Sequence, residues 1–160
     1  MRVFKDTFTG DELFSDSYRF SVVDDIVYEV IGNYIYIDQD NQPCASDHPD
    51  CIGNAKNIVV DQSLEATTFD KKSFATYLKM MFRRIKEHLE KTNPERVSAF
   101  MAAAQPFAKK CIASFKDLEF YTGASMSPEG VLVIFIHKDI DGEERPCAWV
   151  FKDAVEDEKY

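Results

Sequence analysis

The sequence predicts an α+β fold, built from antiparallel sheets and one antiparallel helical hairpin. Three observations indicate this class: strand-like segments fill the first 40 residues, two amphipathic helical segments occupy the middle, and strand-like segments return after residue 117. Because strands and helices come in separate blocks, alternating βαβ units and a parallel sheet are not expected. A chain of 160 residues fits one domain, which we expect to span residues 1–160.

The first third of the chain shows strand patterns. MRVFKD can begin a sheet, and YRFSVVDDIVYEVIGNYIYID clusters Val, Ile, Tyr and Phe between turn signals. Asp24-Asp25 and Gly32-Asn33 are the expected turns of a meander. The polar, aperiodic stretch at about 39–57 predicts a loop, and IVVDQSL at 58–64 predicts a further strand.

A helical hairpin is expected at about 71–116. Asp70 is the predicted N-cap of its first helix, and Asn93 with Pro94 predicts the start of the second helix. Pro106 lies inside the second helix, where it predicts a kink or a local break. The apolar residues that recur at helical spacing are Phe74, Tyr77, Leu78, Met81, Ile85 and Leu89, then Val97, Phe100, Met101, Ala104, Phe107, Cys111, Ile112 and Phe115.

The last third of the chain returns to strands. LEFYTG at 118–123 precedes a turn at 127–130, and VLVIFIHK follows that turn. Asp141-Gly142 is a strong hairpin signal before the final strand-like segment PCAWVFKD.

Charge is unevenly distributed along the chain. The net charge is −9, but residues 1–70 carry −10, residues 71–116 carry +8 and residues 117–160 carry −7. An acidic body with one basic segment argues against nucleic-acid binding and favours an acidic partner for the basic segment. The alternative is an ordinary solvated helix face.

Neither an export signal nor a membrane span is apparent. The N-terminal segment carries charges where a signal peptide would be apolar, and the longest apolar run, VLVIFI at 131–136, is too short to cross a bilayer. These features predict a cytoplasmic protein whose four cysteines stay reduced.

Motifs for catalysis or for tight metal binding are absent from the sequence. It contains no P-loop, GxGxxG, GxSxG, HExxH or CxxC pattern. CASDHPDC places Cys44, His48 and Cys51 within eight residues, which leaves a metal site, a redox pair or a plain polar loop as alternatives. Cys111 and Cys147 lie in apolar patterns and are expected in the core. We therefore expect a protein that is not an enzyme.

Several motifs, in order along nearly the whole chain, resemble the translationally controlled tumour protein family. FYTGASMSPEG resembles that family's G-E-x-M-x-P-D-G signature, and WVFKDAVEDEK resembles its C-terminal F-F-K-D-G-L-E-x-E-K. NPERVSAFM resembles the P-E-R-V-x-x-F-M turn between the family's two long helices. LEATTFDKKSF and the acidic FKDTFTGDELFSDSY resemble the segments that open the first helix and the chain.

The resemblance implies a β-tent (Mss4-like) fold with a projecting helical hairpin, and a non-catalytic cytosolic regulatory protein linked to growth and stress. The partners it implies are tubulin and microtubules, apoptosis regulators and a Ras-like small GTPase. No cofactor is expected to be required, although the resemblance implies weak calcium binding. It also implies nuclear or non-classically secreted forms.

Two candidate sites follow from this resemblance and from the charges. The basic helical segment is expected to bind acidic tails such as those of tubulin through Lys71, Lys72, Lys79, Arg83, Arg84 and Lys86. The alternative function is nucleotide exchange on a small GTPase, through a patch made of Asp11, Glu12, Ser15 and Asp16. A third hypothesis, a thiol-based sulfoxide reductase, would depend on Cys147.

The sequence departs from the family pattern at three places. I-G-G-N-x-S-x-E is reduced to Ile52-Gly53-Asn54-Ala55, and the long acidic loop that follows it in the family is missing. Ala124 replaces the second glutamate of the family's GTPase contact. Tyr160 replaces a C-terminal cysteine that can cross-link dimers. These departures weaken the expectation of calcium binding and nucleotide exchange.

Overall fold

A six-stranded antiparallel sheet lies at the centre of the computed structural model, which describes residues 1–40, 42–44, 49 and 51–159. In chain order, the strands are β1 (Arg2–Asp6), β2 (Glu12–Ser15), β3 (Arg19–Val23), β4 (Val27–Ile31), β5 (Tyr34–Ile37), β6 (Gly53–Lys56), β7 (Glu65–Thr67), β8 (Glu119–Thr122), β9 (Val133–Ile140), β10 (Glu143–Phe151) and β11 (Val155–Lys159). The helices are α1 (Asn57–Asp61), α2 (Lys71–Thr92) and α3 (Val97–Ala113).

The strands form three sheets in the described part of the chain. The central sheet has the order β3-β4-β10-β9-β8-β7, a three-stranded sheet has the order β11-β1-β2, and β5 pairs with β6 in a two-stranded ribbon. Every pair is antiparallel. The α+β class with antiparallel sheets and a helical hairpin is therefore confirmed.

The β9–β10 hairpin supplies the central strands of the core. Its turn is Asp141-Gly142, where both residues have positive φ, as the sequence predicts. The last six residues of β10, from Pro146 to Phe151, are all buried. One hydrophobic cluster joins residues 148–151 to β1, β2, β4 and both long helices, so the helical hairpin and the sheets share a core.

α2 begins where the sequence predicts. The Asp70 carboxylate accepts a hydrogen bond from the Ser73 backbone N–H at 2.7 Å, and the Ser73 hydroxyl lies 3.1 Å from the Asp70 backbone N–H. This reciprocal capping box satisfies backbone donors that the first helical turn leaves open. The predicted apolar stripe of α2 is buried except for Tyr77, which is half-buried, and Phe82, which the predicted stripe omits, is buried as well.

The start of the second helix of the hairpin differs in detail from the prediction. The side chain of Asn93 makes no capping hydrogen bond, and a 3-10 turn at Pro94–Arg96 precedes α3. α3 runs through Pro106 without a break, so the expected local break is wrong. Pro106 and Ala102, one turn earlier, are both exposed, and water can therefore reach the carbonyl that Pro106 leaves without a backbone donor.

The strand predicted at residues 58–64 is wrong. Residues 57–61 form α1 rather than a strand, and the strand that follows covers only Glu65–Thr67. Tertiary contacts override the β-propensity of IVVD, because the Asn57 side chain accepts hydrogen bonds from the backbone N–H groups of Asn33 and Ile58 at 2.8 and 2.9 Å. Ile58 is thereby buried in the core.

Gly32-Asn33 is not the turn of a meander. The Gly32 N–H donates to the Pro146 carbonyl at 2.9 Å, and the chain then leaves the central sheet to form β5. A Cβ at Gly32 would lie 2.8 Å from the Asn57 side chain and 3.1 Å from the Pro146 carbonyl oxygen, so this crossing requires glycine. β5 pairs with β6, which shortens the predicted 39–57 loop at its C-terminal end.

Candidate functional site

Four of the predicted cations share one face of α2. At 100° per residue, Lys72, Lys79, Arg83 and Lys86 lie within about 60° of one another around the helix axis. Lys72, Lys79 and Arg83 are exposed, and Lys86 is half-buried. We call these four residues the basic face. Lys71 is also exposed but lies about a quarter-turn away from them.

Arg84 does not belong to the basic face, although the sequence prediction includes it. It points to another side of α2, where its guanidinium donates to the Glu129 carbonyl at 2.6 Å and lies 5.6 Å from the Phe8 ring centroid. The Tyr77 hydroxyl donates to the neighbouring Gly130 carbonyl at 2.7 Å. Arg84 therefore holds the loop at residues 127–130 against α2.

Intrahelical partners hold the basic face only weakly. Arg83 lies 3.6 Å from Glu87 and Lys86 lies 3.9 Å from Glu90, both at the i,i+4 spacing. Exposed pairs of this kind contribute about 0.3–0.5 kcal/mol each. Lys79 makes no ion pair with the described residues. The charges of this face remain accessible to a partner.

An apolar groove of about 600 Å³ borders the basic face and runs between α2 and α3. This groove was not predicted from the sequence. Its only sequence signals are small or apolar residues at helical spacing beside the cations, a pattern that also fits an ordinary core. The residues that line it are Ala75, Leu78, Lys79, Met80, Phe82, Arg83, Lys86, Met101, Gln105, Ala108 and Ile112.

The structure separates the four residues of the predicted acidic patch. The Asp11 carboxylate accepts from the Ser125 hydroxyl at 2.5 Å, and Ser15 is buried with its hydroxyl 2.6 Å from that of Ser17. Glu12 and Asp16 are exposed, but four residues of extended chain, about 13 Å, separate their positions. Glu12 and Asp16 therefore do not form a compact carboxylate pair.

Asp11 packs against the turn that contains Ala124. A Cβ at Gly123 would overlap the Asp11 side chain, so glycine is required where the strand end approaches this carboxylate. Ala124 and Ser125 are exposed beside it. Position 124, where the family pattern has glutamate, thus lies next to the segment that contains Glu12.

Cys44 and Cys51 form a disulfide with a Cα–Cα distance of 6.1 Å. The expectation that all four cysteines stay reduced is therefore wrong for this pair. The physical reason is the β5–β6 ribbon, which brings the two backbones within bridging distance. His48 lies outside the described residues, so the hypothesis of a Cys44–His48–Cys51 metal site falls partly outside them.

The two remaining cysteines are buried and carry free thiols. Burial raises the pKa of the Cys111 thiol to about 12, and burial together with the Glu29 carboxylate raises the pKa of Cys147. A thiol nucleophile needs exposure and a low pKa. The environment of Cys147 argues against the sulfoxide reductase hypothesis.

A cluster of ionisable groups that the sequence analysis missed joins the β5–β6 ribbon to the central sheet. The Glu119 carboxylate accepts from Lys56 at 2.5 Å and lies 2.8 Å from His137 Nε2, and Tyr34 stacks on His137. Burial would raise the pKa of Glu119, but Lys56 and His137 lower it overall. The partners lie up to 103 residues apart, so no local pattern indicates them.

Within the residues that the structure describes, no group of three or more His, Cys, Asp or Glu side chains is placed to hold a metal ion. None of the described helices is both long enough and apolar enough to cross a membrane.

Comparisons with known proteins agree along the whole chain. The family model described as translationally controlled tumour protein matches residues 1–156. A translationally-controlled tumor protein homolog from Aedes albopictus is 36% identical over 171 residues, covering 100% of both chains. A homolog from Kluyveromyces lactis is 39% identical over 168 residues, covering 99% of each.

Two solved structures share the fold. A translationally controlled tumor-associated protein from Schizosaccharomyces pombe superposes with a TM-score of 0.84 at 36% identity, covering 100% of both chains. A translationally-controlled tumor protein from Caenorhabditis elegans gives a TM-score of 0.78 at 28% identity, covering 100% of this chain and 99% of the other.

Proposed function

Because the chain belongs to the translationally controlled tumour protein family, we propose that it is a cytosolic interaction protein that binds acidic segments of other proteins, such as tubulin tails. The observation that carries this proposal is the basic face, on which Lys72, Lys79, Arg83 and Lys86 project from one side of α2 with only weak intrahelical partners. Binding requires no catalysis and no cofactor.

Opposite charge on the rest of the molecule supports the same proposal. The segments on either side of the helical hairpin carry −10 and −7, so an acidic partner is repelled from most of the chain and attracted to residues 71–116. Calcium binding and contact with apoptosis regulators stay predictions of the family relationship.

Microtubule co-sedimentation tests the proposal. Reversing three of the four cations of the face in a Lys79→Glu/Arg83→Glu/Lys86→Glu variant should weaken pelleting about tenfold or more at low salt, since three attractions become repulsions. The matched control, Lys91→Glu/Lys109→Glu/Lys116→Glu, makes the same change in net charge at residues outside the basic face.

The control should pellet within about threefold of the wild type, because its substituted residues lie away from the face. Equal losses of microtubule pelleting in the two variants would show that binding depends on net charge alone and not on the basic face. Unchanged pelleting of the first variant would refute the basic face as the binding site.

We propose nucleotide exchange on a small GTPase as the second candidate function. The observation that favours it is the placement of Glu12 on a segment that packs, through Asp11, against the turn containing Ala124. A partner that contacts this turn would also reach Glu12. Because Ala124 lacks the carboxylate of the family pattern, we expect weak activity.

Nucleotide release from the GTPase distinguishes this function from simple binding. Ala124→Glu should accelerate release relative to the wild type, because it restores a second carboxylate at an exposed position. Glu12→Val should remove the acceleration, both alone and combined with Ala124→Glu. Asp38→Ala is a control that removes a carboxylate elsewhere on the surface. Equal release rates for all of these proteins would rule out exchange.

A further inference from the structure

The groove between α2 and α3 has the dimensions of a helix-binding site. Its α2 wall contains residues 75, 79, 82 and 86, and its α3 wall contains residues 101, 105, 108 and 112, both at the i, i+4, i+7, i+11 spacing. Eleven residues of helix rise about 16 Å. Two ridges of this length can hold about three turns of a third helix between them.

The surface of the groove is apolar and partly composed of small side chains. Leu78 and Phe82 are buried and form part of its floor, and Ala75 and Ala108 leave room for a close helical approach. Met80, which also lines the groove, is 59% exposed. An exposed methionine beside small residues adapts to the apolar side of a partner helix.

The polar rim of the groove has one sign of charge. Lys79, Arg83 and Lys86 line its α2 side, Gln105 lines its α3 side, and none of the lining residues is acidic. Glu87 and Glu90 contact Arg83 and Lys86 from outside the groove, as exposed pairs 3.6 and 3.9 Å long. Charge complementarity therefore selects an occupant with carboxylates on one side and apolar groups on the other.

We propose that this groove binds one amphipathic helix of an acidic partner protein, about three turns long. The apolar side of that helix covers the groove floor, and its carboxylates pair with Lys79, Arg83 and Lys86. The proposal rests on the proposed binding of acidic segments by the basic face and adds that the bound segment is helical and apolar on one side.

A second copy of this chain is a poor occupant. α2 carries seven basic and two acidic residues, and α3 carries two basic residues and no acidic one. Docking one hairpin on another would therefore bring like charges together. α1, at five residues, is too short to fill the groove. A disordered acidic tail would satisfy the cations but leave the apolar floor uncovered.

Three synthetic peptides test the proposal with the full-length protein. One 18-residue peptide places Leu at i, i+3, i+4 and i+7 positions and Glu elsewhere, a second has the same composition in permuted order, and a third is poly-glutamate. Dissociation constants come from fluorescence anisotropy at low salt. The amphipathic peptide should bind at least about tenfold tighter than the permuted one, because only it aligns its leucines along one helical face.

Variants then locate the binding site. Ala75→Gln/Ala108→Gln fills the groove with uncharged, helix-compatible side chains and should remove the tenfold preference for the amphipathic peptide. Ala102→Gln/Ala113→Gln makes the same change at exposed positions outside the groove, and this variant should keep the tenfold preference for the amphipathic peptide. If the groove variant fails to fold, methyl NMR of the wild type replaces it. The amphipathic peptide should shift the methyl signals of Ala75, Met101 and Ala108, and unshifted signals would overturn the proposal.

The outcomes separate this proposal from the proposed function. Equal binding of all three peptides, lost on reversing Lys79, Arg83 and Lys86, would keep the acidic-segment proposal and overturn the helix-groove proposal. Binding of none of them would overturn both. Sedimentation could also show a dimer of the wild-type chain that dissociates in the groove variant. The occupant would then be a second copy of this chain, and the helix-groove proposal would be overturned.

Discussion

Arg96 connects the helical hairpin to the central sheet through charged hydrogen bonds. Its guanidinium donates to both oxygens of Asp153, at 3.0 and 2.9 Å, and to the Asp25 carboxylate at 2.6 Å. The side chains of Arg96 and Asp153 are only 13% and 10% exposed. Hydrogen bonds from Arg96, and then from Lys152, lower the pKa of Asp25. This residue therefore fixes the turn between α2 and α3 against the central sheet.

Replacing Arg96 with Met should lower the free energy of unfolding by about 3 kcal/mol, because the largely buried Asp153 carboxylate loses its bidentate partner. Urea denaturation measures this change. Arg83→Met is the matched control: Arg83 is 82% exposed and, among the residues that the structure describes, forms an ion pair with Glu87 alone, so its replacement should cost about 0.5 kcal/mol or less. Similar losses in the two variants would contradict the anchoring role of Arg96.

The pH dependence of the same variant gives an independent check. Because the folded-state pKa of Asp25 is lowered, its stabilisation is present above the ordinary aspartate pKa of about 4 and is lost as the pH falls through the lowered value. The stability difference between the wild type and Arg96→Met should therefore be larger at neutral pH than in strong acid. A constant difference would argue against this electrostatic origin.

At the scale of elements, the β5–β6 ribbon has a disulfide at its loop end, within the connection between the two strands. The Cys44 N–H donates to the Tyr36 carbonyl at 2.9 Å, and the Ile52 N–H donates to the Ile37 carbonyl at 3.0 Å. These bonds place both cysteines beside the end of β5. An isolated two-stranded ribbon is marginally stable, so the covalent link contributes to its order.

Reduction of this disulfide, or a Cys44→Ser/Cys51→Ser variant, should cost about 2 kcal/mol, since the closed loop is short. Hydrogen exchange should accelerate in Tyr34–Ile37 and Gly53–Lys56 and stay unchanged in α2. The double serine variant treated with reductant is the control, and it should show no further change. Unchanged exchange in the ribbon of the reduced wild type would contradict this prediction.

The elements themselves divide by how local their determinants are. α2 is predictable because its capping box and its apolar stripe lie within the segment itself. The β9–β10 hairpin is predictable because Asp141-Gly142 can adopt the required positive φ. α1 is not, since Asn57 is fixed by a hydrogen bond from Asn33, 24 residues away.

At the scale of the whole molecule, charge separation determines the orientation in which a partner approaches. Residues 71–116 carry +8 between segments of −10 and −7, and Lys110 and Arg96 bind Asp24 and Asp25 at the junction. An acidic partner is therefore steered towards the other exposed cations of the hairpin rather than towards Arg96 and Lys110. Salt largely screens this attraction when the partner is farther away than one Debye length, which is about 8 Å at physiological salt.

The candidate site could be predicted only in part. The sequence indicates a basic helix, and the spacing of its cations places four of them together, but Arg84 required the structure because its partners, Glu129 and Phe8, belong to distant segments. Likewise, the sequence prediction places Asp11 and Ser15 in an acidic surface patch. In the folded protein Asp11 binds Ser125, 114 residues away, and Ser15 is buried.

The fold class, the family and the basic character of the hairpin can be predicted from the sequence, because they depend on periodicity, ordered motifs and charge composition. The folded structure was needed to show which cations are accessible, that residues 57–61 form a helix, that Cys44 bonds to Cys51, and that a groove lies between α2 and α3. These features depend on how segments pack in space: Asn57 is held by Asn33, 24 residues away, and the groove forms where α2 and α3 pack together, so no local pattern specifies them.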